Sequence, residues 1–132
     1  MRTLLFGIAL LFTTSCAATS TPTGKADPNA EVEVRQAQAV AMGKELWGRC
    51  KFCHGEDGKA QTTYGAEHAV PDFTTQSWQR SRPYDELVES ITHGCGPRTA
   101  DGSTTMPPQE KLTDEEVQAL AVFILTLGQS GT

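Results

Sequence analysis

Apolar residues recur at helical spacing in three parts of the chain, and long polar or Gly- and Pro-rich stretches separate these parts. The spacing predicts helices over about 33–50, 83–93 and 113–127. The apolar positions are Val40, Leu46, Trp47 and Cys50 in the first helix, Tyr84, Leu87, Val88 and Ile91 in the second, and Val117, Leu120, Ala121, Ile124 and Leu125 in the third. Because no strong alternation of period two is present, we predict an all-α fold of three to four helices joined by long loops.

The predicted helices carry recognisable end signals. Pro83 suits the first turn of the second helix, and Gly94 is a typical C-terminal stop. Thr113 and Glu116 have the spacing of a capping box at the start of the third helix. A glycine such as Gly43 inside the first helix costs about 1 kcal/mol relative to alanine. We therefore expect another helix to approach closely there.

The N-terminal segment is typical of an export signal over residues 1–15. Arg2 supplies positive charge, and the apolar stretch Leu4–Phe12 is too short for a permanent membrane span. Residues 13–16 resemble a bacterial lipoprotein signal with Cys16 as the lipidated residue, and ordinary cleavage near Ala17 or Ala18 is the alternative. In both cases we expect an exported, periplasmic protein, which lipid on Cys16 would anchor to the membrane.

Length and charge restrict the classes of protein. The chain has 132 residues and a formal net charge of −5, which favours a single small domain and shows no basic footprint for nucleic acid. Residues 16–32 are polar and lack an apolar period, so we predict a flexible linker there and a domain over 33–132. The acidic clusters at 31–33 and 114–116 are interpreted as solvated helix starts, with a docking patch as the alternative.

Candidate chemistry is concentrated in the segment Cys50-Lys51-Phe52-Cys53-His54, which has the C-x-x-C-H spacing of covalent c-type haem attachment. Two thiols on one helical turn can add to one haem, and the adjacent histidine can then bind the iron. A redox dithiol is an alternative, but the βαβ setting that such a site needs is missing. A zinc site would have to recruit His68, His93 or Cys95, which stand at no familiar finger spacing.

A haem iron held by His54 can take a sixth ligand, and the sequence offers three methionines for this position. Met1 belongs to the export signal, and Met42 precedes the attachment segment on the same predicted helix. Met106 stands before two prolines, which stiffen its loop and lower the entropy cost of holding the sulfur on iron. We therefore predict His54 and Met106 as axial ligands, with His68 and His93 as less favoured replacements for Met106.

The chain resembles the class I c-type cytochromes, which are small and carry one haem. The resemblance covers about residues 36–128. It rests on Cys50, Cys53, His54 and Gly55, on Pro71, Asp72 and Phe73, on Gly94, on Met106, Pro107 and Pro108, and on the start of the last helix at 112–116. It implies one covalent haem c and single-electron transfer between redox partner proteins, without enzymatic activity.

The resemblance also implies roles for individual residues. The backbone carbonyl of Pro71 would accept a hydrogen bond from the second ring nitrogen of His54 and fix the orientation of the ring. Gly43 and Phe123 would meet where the first and last helices cross. Candidate contacts to the haem propionates are Trp78, Arg80 and Arg82.

Cys95 remains after these assignments, as the last of four cysteines. A buried thiol that behaves as a small apolar side chain is the first interpretation, and a reactive or intermolecular thiol is the alternative. The unusual segment around Cys95 also motivates a competing function. In this alternative Met106 is off the iron, and a five-coordinate haem binds gas or reduces peroxide.

Overall fold

A computed structural model describes residues 28–129, which form helices and one short two-stranded antiparallel sheet. The α-helices are α1 (Pro28–Leu46), α2 (Lys51–His54), α3 (Thr63–Glu67), α4 (Gln76–Ser81), α5 (Tyr84–His93) and α6 (Asp114–Leu127). A 3-10 turn (Trp47–Arg49) joins α1 to α2, and the strands are β1 (Cys95–Arg98) and β2 (Thr104–Met106). The mainly helical fold predicted from the sequence is confirmed.

The crossing of α1 and α6 forms the centre of the domain, because Gly43 allows the two helices to touch. A Cβ atom built on Gly43 would lie 2.6 Å from Cβ of Phe123 and closer still to the carbonyl oxygen of Ala119. Trp47 packs edge-on against Phe123, with 5.5 Å between ring centroids, and both are buried. The predicted meeting of Gly43 and Phe123 is therefore confirmed.

The ends of the two later helices agree with the sequence signals. The Thr113 side chain accepts from the backbone N–H of Glu116, while the Glu116 carboxylate accepts from the backbone N–H of Thr113. This capping box satisfies two donors that would otherwise lack partners at the start of α6. α5 follows Pro83 and ends at Gly94, whose φ of 76° turns the chain directly into β1.

The sheet β1–β2 is an antiparallel hairpin in which Cys95 pairs with Met106 and Arg98 pairs with Thr104. The sequence predicted no strand here, because segments of four and three residues are too short to show a reliable alternation. At the closed end, Gly102 has a φ of 86° and donates to the carbonyl of Thr99. The hairpin therefore replaces part of the predicted long loop.

Two other predictions needed correction. α1 begins at Pro28, inside the stretch 16–32 that was predicted as a linker. Pro28 suits the first helical position and Glu31 complements the helix dipole, but residues 28–38 are exposed, so no apolar period marks this extension. The loop predicted between Gly55 and Ser81 contains α3 and α4, which are also too short to show a period.

Several predictions fall on residues 1–27, outside the described part of the chain. They concern the export signal over 1–15, lipidation of Cys16 and most of the linker. Within residues 28–129, no helix combines the length and the apolarity needed to cross a membrane.

Candidate functional site

A cavity of about 440 Å³ brings together most of the residues predicted from the sequence. Its volume lies within the range of about 300–1,000 Å³ that is usual for cofactor sites. The predicted residues that line it are Cys50, Cys53, His54, Pro71, Trp78, Arg82 and Met106. Its apolar wall includes Phe73, Leu87, Ile91, Leu120 and Ile124.

The attachment segment is held by the 3-10 turn and by hydrogen bonds around it. The indole Nε1 of Trp47 donates to the carbonyls of Gly55 and Glu56, at 3.1 Å in each case. The hydroxyl of Thr62 donates to the carbonyl of Cys53 at 2.9 Å. These bonds satisfy carbonyls at the end of α2, so they keep both cysteines and His54 on one short turn beside the cavity.

The two thiols are poorly suited to redox exchange. Burial, with a smaller effect of Cys53, raises the pKa of the Cys50 thiol to about 11, against the opposing charge of Arg49. Burial also raises the pKa of Cys53. A reactive dithiol needs a lowered thiol pKa, because the thiolate is the nucleophile. The environment therefore counts against the redox-dithiol alternative.

His54 is buried against aromatic rings. Its ring stacks on Phe73, with 4.6 Å between centroids and an interplanar angle of 26°. Burial lowers the pKa of His54 to about 4, so the imidazole is neutral at neutral pH, as a metal ligand must be. Its Nδ1 is buried without a hydrogen-bond partner in the described structure. The bond that was predicted from His54 to the carbonyl of Pro71 is thus not formed here.

Met106 ends β2 at the edge of the cavity, and three contacts hold it there. The hydroxyl of Thr104 donates to the carbonyl of Met106 at 2.7 Å. The hydroxyl of Tyr64 donates to the carbonyl of the preceding residue, Thr105, at 2.7 Å. Cys95, paired with Met106 in the hairpin, places its Sγ 3.6 Å from Met106 Sδ. Contrary to the first interpretation from sequence, Cys95 is exposed rather than buried.

The charged residues lining the cavity are cationic. Arg49 and Arg82 contribute to the lining, and none of the described lining residues is Asp or Glu, although the chain as a whole carries a net charge of −5. Arg82 also pairs with the exposed Glu86 at 3.4 Å. Arg80 does not line the cavity, because its guanidinium turns back along α4 to the side chain of Gln76 at 2.9 Å.

The two remaining histidines differ in position. His68 is exposed but lines the cavity, and its ring lies 4.0 Å from the ring of Tyr64. His93, at the end of α5, does not line the cavity and lies 3.7 Å from Glu89. Within residues 28–129, no group of three or more His, Cys, Asp and Glu side chains is arranged to hold a metal ion.

Sequence reasoning missed Tyr64 and Arg49, which both line the cavity. Tyr64 lies in a polar segment without a period, and its partner Thr105 is distant along the chain. Arg49 directly precedes Cys50, and this position beside the attachment segment could have indicated that it lines the site. An arginine there can serve an anionic group on a bound cofactor.

The composition of the lining fits a haem. One turn supplies two thiols and an imidazole, a second element supplies a thioether, the walls are apolar, and two guanidiniums can meet carboxylates. A buried ring nitrogen without a partner is unfavourable. Nδ1 of His54 is such an atom, so the imidazole that would hold the iron lies in a buried position where the described residues give this nitrogen no partner.

The chain is similar to known c-type cytochromes. A family model described as Cytochrome c matches residues 40–128. The solved structure of the KustC0563 c-type cytochrome is 33% identical with a TM-score of 0.54, and the match covers 64% of this chain and 95% of that chain. The c-type cytochrome SorU from Sinorhizobium meliloti is 24% identical with a TM-score of 0.47, covering 70% of this chain and 93% of that chain. No curated protein matches the sequence.

Proposed function

Because the chain belongs to the cytochrome c family, we propose that it is an electron carrier with one covalent haem, whose iron is bound by His54 and Met106. The family carries haem c on the two cysteines of its C-x-x-C-H motif and exchanges electrons with redox partner proteins. In this chain those cysteines are Cys50 and Cys53. When bound, the haem supplies an iron that takes up and releases single electrons.

One observation carries the proposal. His54 and Met106 line the same cavity as both attachment cysteines, although they come from different elements of the fold. A neutral imidazole and a thioether are the ligand pair typical of electron-transfer cytochromes c, and this pair raises the reduction potential. Because both ligands are held by surrounding structure, little reorganisation would accompany the change of oxidation state.

Arg49 and Arg82 have the chemistry to meet the two carboxylates of a haem. Guanidinium groups form charge-assisted hydrogen bonds with carboxylates, and both arginines line the cavity. Trp78 lines the same cavity, and its ring lies tilted against Phe73, with 4.4 Å between ring centroids. In this proposal Arg49 takes the place that sequence reasoning gave to Arg80.

The proposed location is the periplasmic side of a bacterial membrane. The pattern over residues 1–15 supports export, and the lipoprotein-like sequence before Cys16 supports a lipid tether. Covalent haem attachment fits the same compartment, where this attachment is normally completed.

The test compares Met106→Ala with Met42→Ala in protein produced by a strain competent in haem attachment. A pyridine haemochrome assay first establishes covalent haem. We expect the ferric protein to show the near-infrared sulfur-to-iron band, Met106→Ala to lose it, and Met42→Ala to keep it, since Met42 does not line the cavity. An unchanged band in Met106→Ala, or carbon monoxide binding to the untreated ferrous protein, would contradict the assignment.

A further inference from the structure

Cys95 stands directly opposite the proposed axial methionine. The two residues pair across the β1–β2 hairpin. The Cys95 thiol donates to the Sδ atom of Met106 at 3.6 Å. Both residues also line the cavity. The thiol is therefore a neighbour of the ligand sulfur itself and not only of its backbone.

The approach of the two strands depends on Gly94. A Cβ atom on Gly94 would lie 2.5 Å from the carbonyl oxygen of Met106 and 2.9 Å from the nitrogen of Pro108, and its φ of 76° also disfavours other residues. The hydroxyl of Thr104 further restrains the Met106 carbonyl. With the backbone fixed on both sides, the thioether has a defined neighbour in Cys95.

We propose that Cys95 is a positioning residue for Met106, whose thiol hydrogen bond orients the thioether and reduces the electron density that it gives to the iron. The inference rests on the proposed His54 and Met106 ligation. A thioether sulfur has two lone pairs, so one can accept from a thiol while the other binds a metal. The thiol is a weak donor, but its partner is the ligand atom.

The sign of the effect follows from the charge of the iron. When a thioether donates less electron density, the ferric state loses more stabilisation than the ferrous state does. Hydrogen bonds to ligand atoms are among the means by which a protein tunes the potential of its metal. The Cys95 thiol therefore raises the reduction potential. Its hydrogen bond also restrains the side chain of Met106, and this restraint outweighs the weaker donation to the iron and slows the departure of the sulfur.

Three variants of the haem-loaded protein test the inference. Cys95→Ala removes the donor, and Cys95→Ser keeps a donor in nearly the same volume. Arg98→Lys is the matched control, because Arg98 donates to the carbonyl of Gly102 at 2.7 Å in the same hairpin but does not line the cavity, and lysine keeps the positive charge. The measurements are the midpoint potential, the near-infrared band, and the rate at which added imidazole displaces Met106 from ferric iron.

We expect Cys95→Ala to lower the midpoint potential, shift the band and accelerate displacement. The acceleration should be at most about the two- to tenfold factor of one ordinary hydrogen bond, because a thiol is a weak donor. Cys95→Ser should stay close to the unsubstituted protein, and Arg98→Lys should match it. Unchanged values in Cys95→Ala, or equal changes in Arg98→Lys, would overturn the inference while the band still supports Met106 ligation. Absence of the band from the unsubstituted protein would refute the ligation, and the inference with it.

Discussion

The hydroxyl of Tyr64 donates a hydrogen bond of 2.7 Å to the backbone carbonyl of Thr105. This bond joins α3, which follows the attachment segment, to β2, which carries Met106. It therefore links the two parts of the chain that supply the proposed iron ligands.

We expect Tyr64→Phe to loosen the Met106 strand without disturbing the nearby rings. The substitution leaves the Thr105 carbonyl without this donor, at a cost of about 1 kcal/mol in the free energy of unfolding, while an aromatic ring remains against His68. Urea unfolding and imidazole binding to the ferric protein measure the two effects. Tyr84→Phe is the control, and equal losses in both variants would contradict a specific role for the Tyr64 bond.

The crossing of α1 and α6 predicts the sign of a substitution at Gly43. Alanine is favoured over glycine in a helix by about 1 kcal/mol, but the new Cβ would lie 2.6 Å from Cβ of Phe123. Overpacking costs about 1–3 kcal/mol or more, and the obstructing atoms belong to or adjoin the backbone. Gly43→Ala should therefore lower the free energy of unfolding.

Gly48→Ala provides the control for this experiment. A Cβ on Gly48 would meet no atom within 4 Å, so the substitution should be neutral or slightly stabilising in urea unfolding. If Gly43→Ala were as stable as Gly48→Ala, the close crossing of the helices would be wrong.

The capping box predicts a pH dependence. Hydrogen bonds from the Thr113 backbone and side chain lower the pKa of Glu116 from its usual 4.5. The contribution of Glu116 to the free energy of unfolding is therefore fully present above pH 4.5, and it is lost as the pH falls through the lower pKa of the folded state. The unsubstituted protein should be more stable than Glu116→Gln at pH 7, and the difference should shrink in acid.

Unfolding of both proteins across this pH range measures the effect, with Glu115→Gln as the control. Glu115 lies in the same first turn of α6 but is not part of the capping box. An equal pH-dependent difference for both variants would indicate an interaction with the helix dipole rather than the cap.

Because the cavity lining is cationic, we expect Arg82 and Arg80 to differ in their effect on the reduction potential. Arg82 lines the cavity and Arg80 does not. Removal of a positive charge near the haem favours the ferric state, so Arg82→Gln should lower the midpoint potential, most clearly at low salt, where screening is weak. Arg80→Gln should leave the potential unchanged in the same potentiometric titration. A larger change of the midpoint potential in Arg80→Gln than in Arg82→Gln would instead support the propionate contact that the sequence predicted for Arg80.

The lipoprotein-like signal makes a prediction for the full chain. In a bacterium supplied with labelled palmitate, the unsubstituted protein should incorporate label and sediment with membranes. Cys16→Ala should lose both properties, while Cys95→Ala keeps them. Release of unlabelled, unsubstituted protein into the soluble periplasmic fraction would instead support cleavage near Ala17 or Ala18.

Local signals in the sequence predicted much of the site. The attachment motif, the capping box at Thr113 and the stop at Gly94 are readable because the interacting residues are neighbours in sequence. The close crossing at Gly43 was predictable because a helical glycine has a cost that packing must offset.

Other features depend on partners that are far apart in sequence. The pairing of Cys95 with Met106 needs a hairpin whose strands are too short to show a pattern. The bond from Tyr64 to Thr105 spans two segments without a period. The exposed first turns of α1 likewise lack the apolar stripe by which a helix is recognised.

Met106 lies on a paired strand and not in an irregular loop. If Met106 binds the iron as proposed, the pairing of its strand restrains the backbone that carries the sulfur. We expect opening of the hairpin to favour release of the sulfur, so ligand exchange would gain part of the cooperativity of a small folding unit. The lifetime of the sulfur on the iron should then rise and fall with the hydrogen-exchange protection of the β2 amides.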